Sequence, residues 1–229
     1  MIHDPRPVVS RCEQPIDARG PGNECGAAVV IALLLTIVLA LLGAGLLTLA
    51  NTESLIAASY RHGQEAAYGA EAALERALAD LSLMADWSGV LAAPPANLMS
   101  TFDDGLSGVR LPDGKVVSLG ALTAERQRDS DAVAGPAVYQ ADSPRWRLFA
   151  HAPIQDLDPA PASGTPLYLI VWVGDDGADG DGDPAVDANG RIQVHAEAFG
   201  AAGARRAAAA LIERSENGVI RMISWRRVP

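Results

Sequence analysis

The feature that most constrains this chain is an apolar run close to its N-terminus. From Ala27 to Ala50 the sequence carries no charged residue over 24 positions. As a helix rising about 1.5 Å per residue, the run is about 36 Å long, whereas the hydrocarbon core of a bilayer is about 30 Å thick. The run therefore predicts a helix that can cross a membrane with some tilt.

A cleaved export signal fits this run poorly. The apolar part of a signal peptide has about 7–15 residues and ends at a small-residue cleavage site, but here helical character continues through residues 51–60. We therefore expect a permanent single-pass anchor. Three arginines precede it, Arg6, Arg11 and Arg19. The positive-inside rule then favours a cytoplasmic segment 1–26 and a C-terminal part outside.

The pattern after the run predicts that the same helix continues to about residue 84. Residues 51–84 contain no proline. One face of the helix they would form consists of alanine and leucine side chains, and the charged side chains lie away from the centre of that face. That face consists of Ala66, Ala67, Ala70, Ala73, Leu74, Ala77, Leu78 and Leu81. We expect one helix over residues 27–84, apolar on all sides at first and amphipathic afterwards.

Charge and cysteine content exclude some classes of protein. The formal net charge is −10, which argues against a nucleic-acid partner because a phosphate backbone requires a basic face. The two cysteines, Cys12 and Cys25, both precede the apolar run. The remaining chain therefore has no disulfide and no thiol chemistry, and two reduced cysteines without a structural role are expected.

A small-residue start at 26–28, the apolar run and the segment "AEAAL" at 70–74 form one pattern over residues 26–78, about a quarter of the chain. With this pattern the chain resembles the type IV pilin-like proteins, most closely the PilX-type minor pilins, and "AEAAL" is the most specific part of the likeness. The matching residues are Gly26, Ala27, Ala28, Thr52, Glu53, Ile56, Ala57, Arg61, Ala66, Ala70, Glu71, Ala72, Ala73 and Leu74. The resemblance implies a structural subunit that assembles through its N-terminal helix, with Ile31, Glu53, Arg61 and Glu71 on that helix.

The resemblance also implies proteolytic processing. Gly26 corresponds to the last leader residue, and Ala27 to a mature N-terminus that a prepilin peptidase cuts and methylates on the cytoplasmic side. Gly20 and Gly22 lie nearby and leave the cleavage register open. Major pilins carry Glu at the fifth mature position, where this chain has Ile31. That departure suits a minor or tip subunit, and the K-type minor pseudopilin of type II secretion shares it.

Downstream of the helix, the sequence predicts a linker over residues 85–108 and a β-rich domain over 109–229. A hairpin is expected around the turn Pro112-Asp113-Gly114, and residues 124–144 read as polar and irregular. Strands are predicted at 145–154, 165–174, 191–200, 205–215 and 219–228, and a helix over 203–214 stays open as the alternative to the fourth strand. In the third of these, Ile192, Val194, Ala196 and Ala198 are expected on one side. Four antiparallel strands in a meander packed on the helix define the expected pilin-like α+β fold.

An aspartate-rich stretch at 174–190 is the one candidate ligand site by composition. Asp179, Asp181, Asp183 and Asp187 have partial spacing of a calcium loop. However, Pro184 replaces the usual turn glycine, and no bidentate Glu ends the loop. Calcium binding and a solvated acidic hairpin loop therefore both stay open, and no other cofactor is expected.

Catalytic motifs are missing from the sequence. His62, His151 and His195 are scattered and form no His/Cys cluster, and neither a nucleophile elbow nor a phosphate loop occurs. The arginine pairs 205–206 and 226–227 are expected on solvated strand faces, or against an acidic loop of another subunit. We therefore expect no enzyme.

Three functional hypotheses remain from the sequence. The first is a PilX-like minor pilin of the bacterial inner membrane, with a periplasmic domain and other pilin subunits and a prepilin peptidase as partners. The second is a K-type minor pseudopilin. The third is a membrane-anchored periplasmic protein that binds a ligand such as calcium and never polymerises.

Overall fold

The computed structural model describes residues 24–92, 108–134, 144–157, 164–178, 180–215 and 217–228. The chain divides into two compact units, Met1–Ser54 and Leu55–Pro229. The first helix, α1, runs from Glu24 to Ser82 and contributes residues to both units.

In the first unit, α1 is exposed on all sides. Every side chain from 26 to 54 is exposed, and the apolar ones include Val29, Leu41 and Leu47. The hydroxyl groups of Thr36 and Thr48 donate to carbonyl oxygens one helical turn earlier, at 2.8 Å. Because these hydroxyl donors are hydrogen-bonded within the helix, an apolar environment around the helix would leave neither of them without an acceptor. The helix is long and apolar enough to span a membrane.

The second unit combines the rest of α1 with shorter helices and two sheets. The helices are α2 (Ser88–Ala92), α3 (Leu119–Ala134) and α4 (Ile154–Leu157). The strands are β1 (Gly108–Arg110), β2 (Val116–Ser118), β3 (Arg147–Pro153), β4 (Tyr168–Asp175), β5 (Arg191–Phe199), β6 (Arg205–Arg214) and β7 (Ile220–Val228). A 3₁₀ turn at Ala201–Gly203 joins β5 to β6.

The main sheet is an antiparallel meander in chain order, β3-β4-β5-β6-β7. The expected α+β layout, a long N-terminal helix followed by an antiparallel sheet, is confirmed. The expectation of four strands is wrong, because β3 and β4 both join the sheet, with His151 opposite Ile170. Residues 205–214, whose composition also suits a helix, form strand β6 because each pairs with β5 or β7.

The predicted small hairpin is confirmed as β1 and β2. Gly108 lies opposite Ser118, and the N–H of Leu111 donates to the carbonyl of Lys115 at 2.8 Å. Gly114 has a φ of 88°, a left-handed conformation that glycine adopts without a steric cost. The turn Pro112-Asp113-Gly114 therefore closes the hairpin as its residue types predict.

The prediction of irregular structure for residues 124–144 is wrong over its first half, which belongs to α3. This helix is anchored by polar side chains, which a hydrophobic pattern does not reveal. Gln127 donates to the carbonyl of Pro144 at 3.0 Å and accepts from the N–H of Trp146 at 3.0 Å. Thr123 accepts from the indole N–H of Trp172 at 2.9 Å. Two leucines, Leu119 and Leu122, supply its buried apolar contacts.

The structure differs from the prediction at the C-terminal end of α1 and in the predicted linker. The helix ends at Ser82, two residues before the expected boundary. The segment predicted as a loop over residues 85–108 contains α2, whose Val90 and Leu91 are buried. Residues 93–107 lie outside the described part of the chain.

The second part of α1 packs on one face of the main sheet through its small residues. Ala66, Ala70, Ala73, Leu74, Ala77 and Leu81 are buried there. Their partners on the sheet are Leu169, Val171, Val173, Ile192, Val194, Ala196, Ala198, Ala208, Ala210 and Ile212. A Cβ added at Gly69 would lie 2.7 Å from Cδ1 of Leu167 and 3.2 Å from Cβ of Ala198. The helix backbone therefore approaches the sheet more closely than a larger side chain at this position would allow.

The opposite face of the sheet is covered by α3 and the small hairpin. Its apolar cluster contains Val109, Leu111, Leu119, Leu122, Trp146, Ile170, Trp172 and Phe199. Alternate residues of each strand point to the two faces. The second unit is therefore a three-layer arrangement with the main sheet in the middle.

Arg214 and Trp87 secure the C-terminal end of α1. The indole N–H of Trp87 donates to the carbonyl of Leu81 at 3.1 Å, and the Arg214 guanidinium donates to the same oxygen at 3.2 Å. Arg214 also lies over the Trp87 ring, 4.2 Å from its centroid. A cation that bonds the free carbonyls of a helix end satisfies them and interacts favourably with the helix dipole.

We predict that Leu74→Ala destabilises the second unit, since Leu74 is 1 % exposed between α1 and the sheet. The expected loss in the free energy of unfolding is about 2–5 kcal/mol. Urea unfolding of the full chain in detergent micelles, followed by tryptophan fluorescence, measures it. Leu83→Ala is the matched control, because Leu83 is 86 % exposed, and a change of at most about 0.5 kcal/mol is expected. Equal losses in the two variants would contradict this packing.

Candidate functional site

The residues that carry the pilin resemblance divide between the two units. In the first unit, Gly26, Ala27, Ile31 and Glu53 are exposed on α1. A Cβ added at Gly26 would have no atom within 4 Å. This part of α1 is thus an apolar surface free to contact lipid or neighbouring helices.

In the second unit, the resemblance residues serve the fold of this chain. Ala66, Ala70, Ala73 and Leu74 are buried beneath the sheet. Glu71 accepts from Nε of Arg227 on β7 at 2.6 Å, and the hydrogen bond with Glu71 raises the pKa of Arg227. Arg61 forms a wider ion pair with Glu65, at 3.7 Å and at an exposed position.

The sheet face opposite α1 carries a buried network of charged side chains. His195 and Glu197 lie two residues apart on β5, each 3 % exposed, with His195 Nε2 2.9 Å from Glu197 Oε1. Arg205 donates from Nε to Glu197 Oε2 and from Nη1 to Glu125 Oε1, both at 2.7 Å. Nη1 of Arg126 lies 3.4 Å from His195 Nε2. One buried carboxylate is thus held between a histidine and an arginine.

Burial and neighbouring charges set the protonation of this network. Burial is the largest cause of the lowered pKa of His195; Glu197 acts to raise this pKa, and the charges of Arg126 and Arg205 act to lower it. The imidazole is therefore neutral at pH 7 and donates its Nε2–H to the carboxylate. Burial alone would raise the pKa of Glu197, but hydrogen bonds from His195 and Arg205 hold it below the ordinary value. Burial likewise opposes the charge of Arg205, yet Glu197 and Glu125 raise its pKa.

A cleft of about 810 Å³ lies beside this network on the same face of the sheet. Its lining includes Arg126 and Ser130 of α3, Trp146, His195 of β5, and Ser224 and Arg226 of β7. The Arg126 guanidinium lies 5.7 Å from the centre of the Trp146 ring, and that ring meets His195 edge-on at 5.8 Å. The cleft therefore combines aromatic walls with cationic and hydroxyl donors.

The described aspartates of the acidic loop bind the loop's own backbone. Asp181 accepts from the N–H of Asp183 at 2.8 Å, and Asp183 from that of Ala185 at 3.0 Å. Asp187 accepts from the N–H groups of Gly190 and Arg191. Among the described residues no group of three metal-ligating side chains converges. Asp179 lies outside these residues, and calcium binding in this loop stays a prediction.

The expectation of solvated faces for the two arginine pairs is wrong for Arg205, which is partly buried in the ion pairs described above. Arg227 is exposed as expected, and it also forms an ion pair with Glu71. Arg206 and Arg226 are exposed as expected.

The polar network could have been suspected from one signal in the sequence. His195 and Glu197 alternate with the apolar residues of the segment 191–199 at a spacing of two, and an arginine follows directly after the next turn. A charge that alternates with core residues on an otherwise buried strand indicates a polar partner on the second face. Glu125 and Arg126 gave no such signal, because their segment carried no strand or helix pattern that would place them.

No family model, no characterised protein sequence and no solved structure matches this chain. The fold and the geometry of its surfaces are therefore the basis for the functional proposal.

We predict that His195→Gln flattens the pH dependence of stability just below neutral pH. The folded-state pKa of His195 lies below its ordinary value of 6.5. Between these two values the unfolded chain binds a proton that the folded chain does not, so stability falls as the pH falls through this window. Protonation of Glu197 also destabilises the folded state on acidification, but only at pH values below 4.5, the ordinary pKa of this carboxyl group. Urea unfolding of the full chain in micelles at several pH values measures the slope.

Gln193→Asn, on the same strand, is the control for this slope and should keep the wild-type dependence. An unchanged slope between pH 6.5 and lower values in His195→Gln would contradict the assigned neutral histidine.

We predict that Glu197→Gln costs more stability than Glu125→Gln. The first change removes the buried charge that matches Arg205, and breaking such a pair costs about 3–5 kcal/mol. Glu125 is a partner of the same arginine, but its side chain is 39 % exposed, so its loss should cost about 1 kcal/mol or less. Denaturant unfolding at neutral pH compares the two. Equal costs would mean that Glu197 is not the principal partner of Arg205.

Proposed function

We propose that this protein is a structural subunit of a type IV pilus or a related filament, of the PilX-type minor pilin class. Its work is packing and not catalysis. In this proposal α1 first rests in the bacterial inner membrane with the second unit in the periplasm, and it enters the filament after a prepilin peptidase cuts behind Gly26.

The observation that carries the proposal is the difference in burial between the two parts of α1. Residues 26–54 present an apolar helix with every side chain exposed, whereas Ala66, Ala70 and Ala73 are buried against this chain's own sheet. The second part of this helix uses one face for its own domain, whereas the first part has all of its sides available to other molecules. Such an arrangement supports a subunit that exchanges lipid for neighbouring helices.

The composition of the exposed part favours that exchange. Lipid tails are as apolar as leucine side chains, so helices associate in membranes through close packing, which small residues permit. Gly43 and Gly45 have open space where a Cβ would be added. They are the positions of this segment where a neighbouring helix backbone can come closest.

A minor position in the filament fits the absence of an acidic residue at the fifth mature position. In the resembled family, that glutamate neutralises the terminal amine of a neighbouring subunit within the apolar filament core. Ile31 cannot do so, and an unpaired charge in such surroundings is costly. A subunit at the tip, or one present in few copies, has less need of that pairing. The K-type minor pseudopilin of type II secretion shares this feature and is the alternative within the same class.

The experiment is the N-terminal sequence and intact mass of the protein recovered from membranes of cells with and without a prepilin peptidase. We expect a chain that starts at methylated Ala27 only where the peptidase is present. Gly26→Val should leave the chain uncut, because a branched side chain then occupies the position before the cleaved bond.

Gly22→Val is the matched control for the cleavage register and should be processed normally. If Gly22→Val blocks cleavage and Gly26→Val does not, the cleavage site proposed at Gly26 is wrong, but the protein still belongs to the pilin class. An uncut wild-type chain in the presence of the peptidase would sink the proposal and leave a membrane-anchored domain that does not polymerise.

A further inference from the structure

Two residues that line the cleft on the sheet face opposite α1 carry buried hydrogen-bond donors without acceptors. Nε of Arg126 is buried and has no hydrogen-bond partner among the described residues. The same holds for the indole Nε1 of Trp146, whose side chain is 8 % exposed. A buried donor that has lost water and gained no acceptor is costly, and the cost is greater for a charged group. Two such donors in one cleft point to a ligand that brings acceptors.

The charge that the ligand should carry follows from which arginines already have a carboxylate partner. Arg205 is paired with Glu197 and Glu125, and Arg227 with Glu71. Arg191 and Arg221 share Glu213, whose pKa their hydrogen bonds lower. In the described part of the chain, no ion pair reaches Arg126 or Arg226.

Arg126 and Arg226 both line the cleft, from α3 and from β7. The one carboxylate in its lining, Asp176, accepts a hydrogen bond from Asn189 at 2.8 Å. The neighbouring imidazole of His195 contributes no charge at neutral pH, because burial lowers its pKa. Cationic side chains therefore outnumber carboxylates in the cleft lining, and two of them, Arg126 and Arg226, form no ion pair among the described residues, which favours a carboxylate ligand. Guanidinium groups bind carboxylates through short, paired hydrogen bonds.

The chain itself carries a segment of the complementary chemistry. Asp181 and Asp183 are exposed in the loop between β4 and β5. Each uses Oδ1 to hold the local turn through a backbone N–H. The second oxygen of each carboxylate accepts no hydrogen bond within the described residues, so it is available to a donor from outside the loop.

We propose that the cleft binds the acidic loop of a second copy of this chain, through carboxylates that accept from Arg126, Trp146 and Arg226. The cleft volume of about 810 Å³ lies within the range of about 300–1,000 Å³ typical of binding pockets, so it holds a few side chains and not a folded domain. A turn whose carboxylates project from it matches that size. The contact goes beyond the proposed pilin function, and it does not require processing at Gly26.

The contact is electrostatic and therefore depends on ionic strength. Exposed charges are screened over about 10 Å at 0.1 M salt. Binding should weaken as salt is raised, whereas an apolar association through α1 would not. This difference separates the loop contact from contacts between membrane helices.

The test uses the full-length protein in detergent micelles and a peptide with the sequence of residues 180–190, GDGDPAVDANG. Calorimetric titration and the intrinsic tryptophan fluorescence, to which Trp146 in the cleft contributes, measure binding. The control peptide replaces its three aspartates by asparagine and keeps the shape of the side chains without their charge. We expect saturable binding of the acidic peptide alone.

Arg126→Gln and Arg226→Gln should each weaken binding of the acidic peptide about tenfold, the loss expected for one charge-assisted contact. Arg128→Gln is the matched control, because it removes the same charge from α3 at an exposed position outside the cleft. It should bind like the wild type. Arg226 lies on an exposed strand, so its substitution tests the cleft even if the Arg126 variant folds poorly.

Two results would overturn the inference. One is the absence of saturable binding by the wild type, or equal binding of the acidic and the asparagine peptides. The other concerns the loop of the same copy, tested with Asp181→Asn and Asp183→Asn combined in the full chain. If that variant binds the peptide more tightly than the wild type, its own loop normally fills the cleft and no second copy is needed. Failure here leaves cleavage by the peptidase unaffected, so the two proposals are tested separately.

Discussion

The packing of small side chains between α1 and the main sheet is the contact on which the second unit depends. The alanines of the helix meet alanines of β5 and β6, and at Gly69 the two backbones come closer than a larger residue would permit. Small side chains lose little rotamer freedom on burial, so close approach costs little conformational entropy. This contact also brings Glu71 within reach of Arg227 and fixes the last turn of α1 beside Arg214.

Because α1 covers one face of the sheet, the other face is open to different residues. The β5 side chains on that face include His195 and Glu197, which an apolar layer alone could not accommodate. Arg205 and Glu125 neutralise and hydrogen-bond the buried carboxylate. The cleft lies beside this polar network, between α3 and β7.

Much of this architecture is readable from the sequence, because its signals are local. The alternation in 191–199 predicts which side chains of β5 face α1, and the turn residues around Gly114 predict the small hairpin. Helix α3 was not predictable in the same way. Its polar anchors, Thr123 and Gln127, are satisfied by groups more than fifteen residues away in the chain. A pattern search along the sequence cannot weigh hydrogen bonds whose partners arrive only on folding.

The sequence by itself determined a helix able to span a membrane, its small amphipathic continuation and the strands that follow, since periodicity and length are properties of neighbouring residues. Only the tertiary structure decided which charges are matched. Arg205 and Arg226 occupy similar arginine pairs in the sequence, yet Arg205 is bonded to two carboxylates while Arg226 lines the cleft and forms no ion pair among the described residues. The reason is physical: ion pairs between strands and helices depend on distances that chain separation does not set.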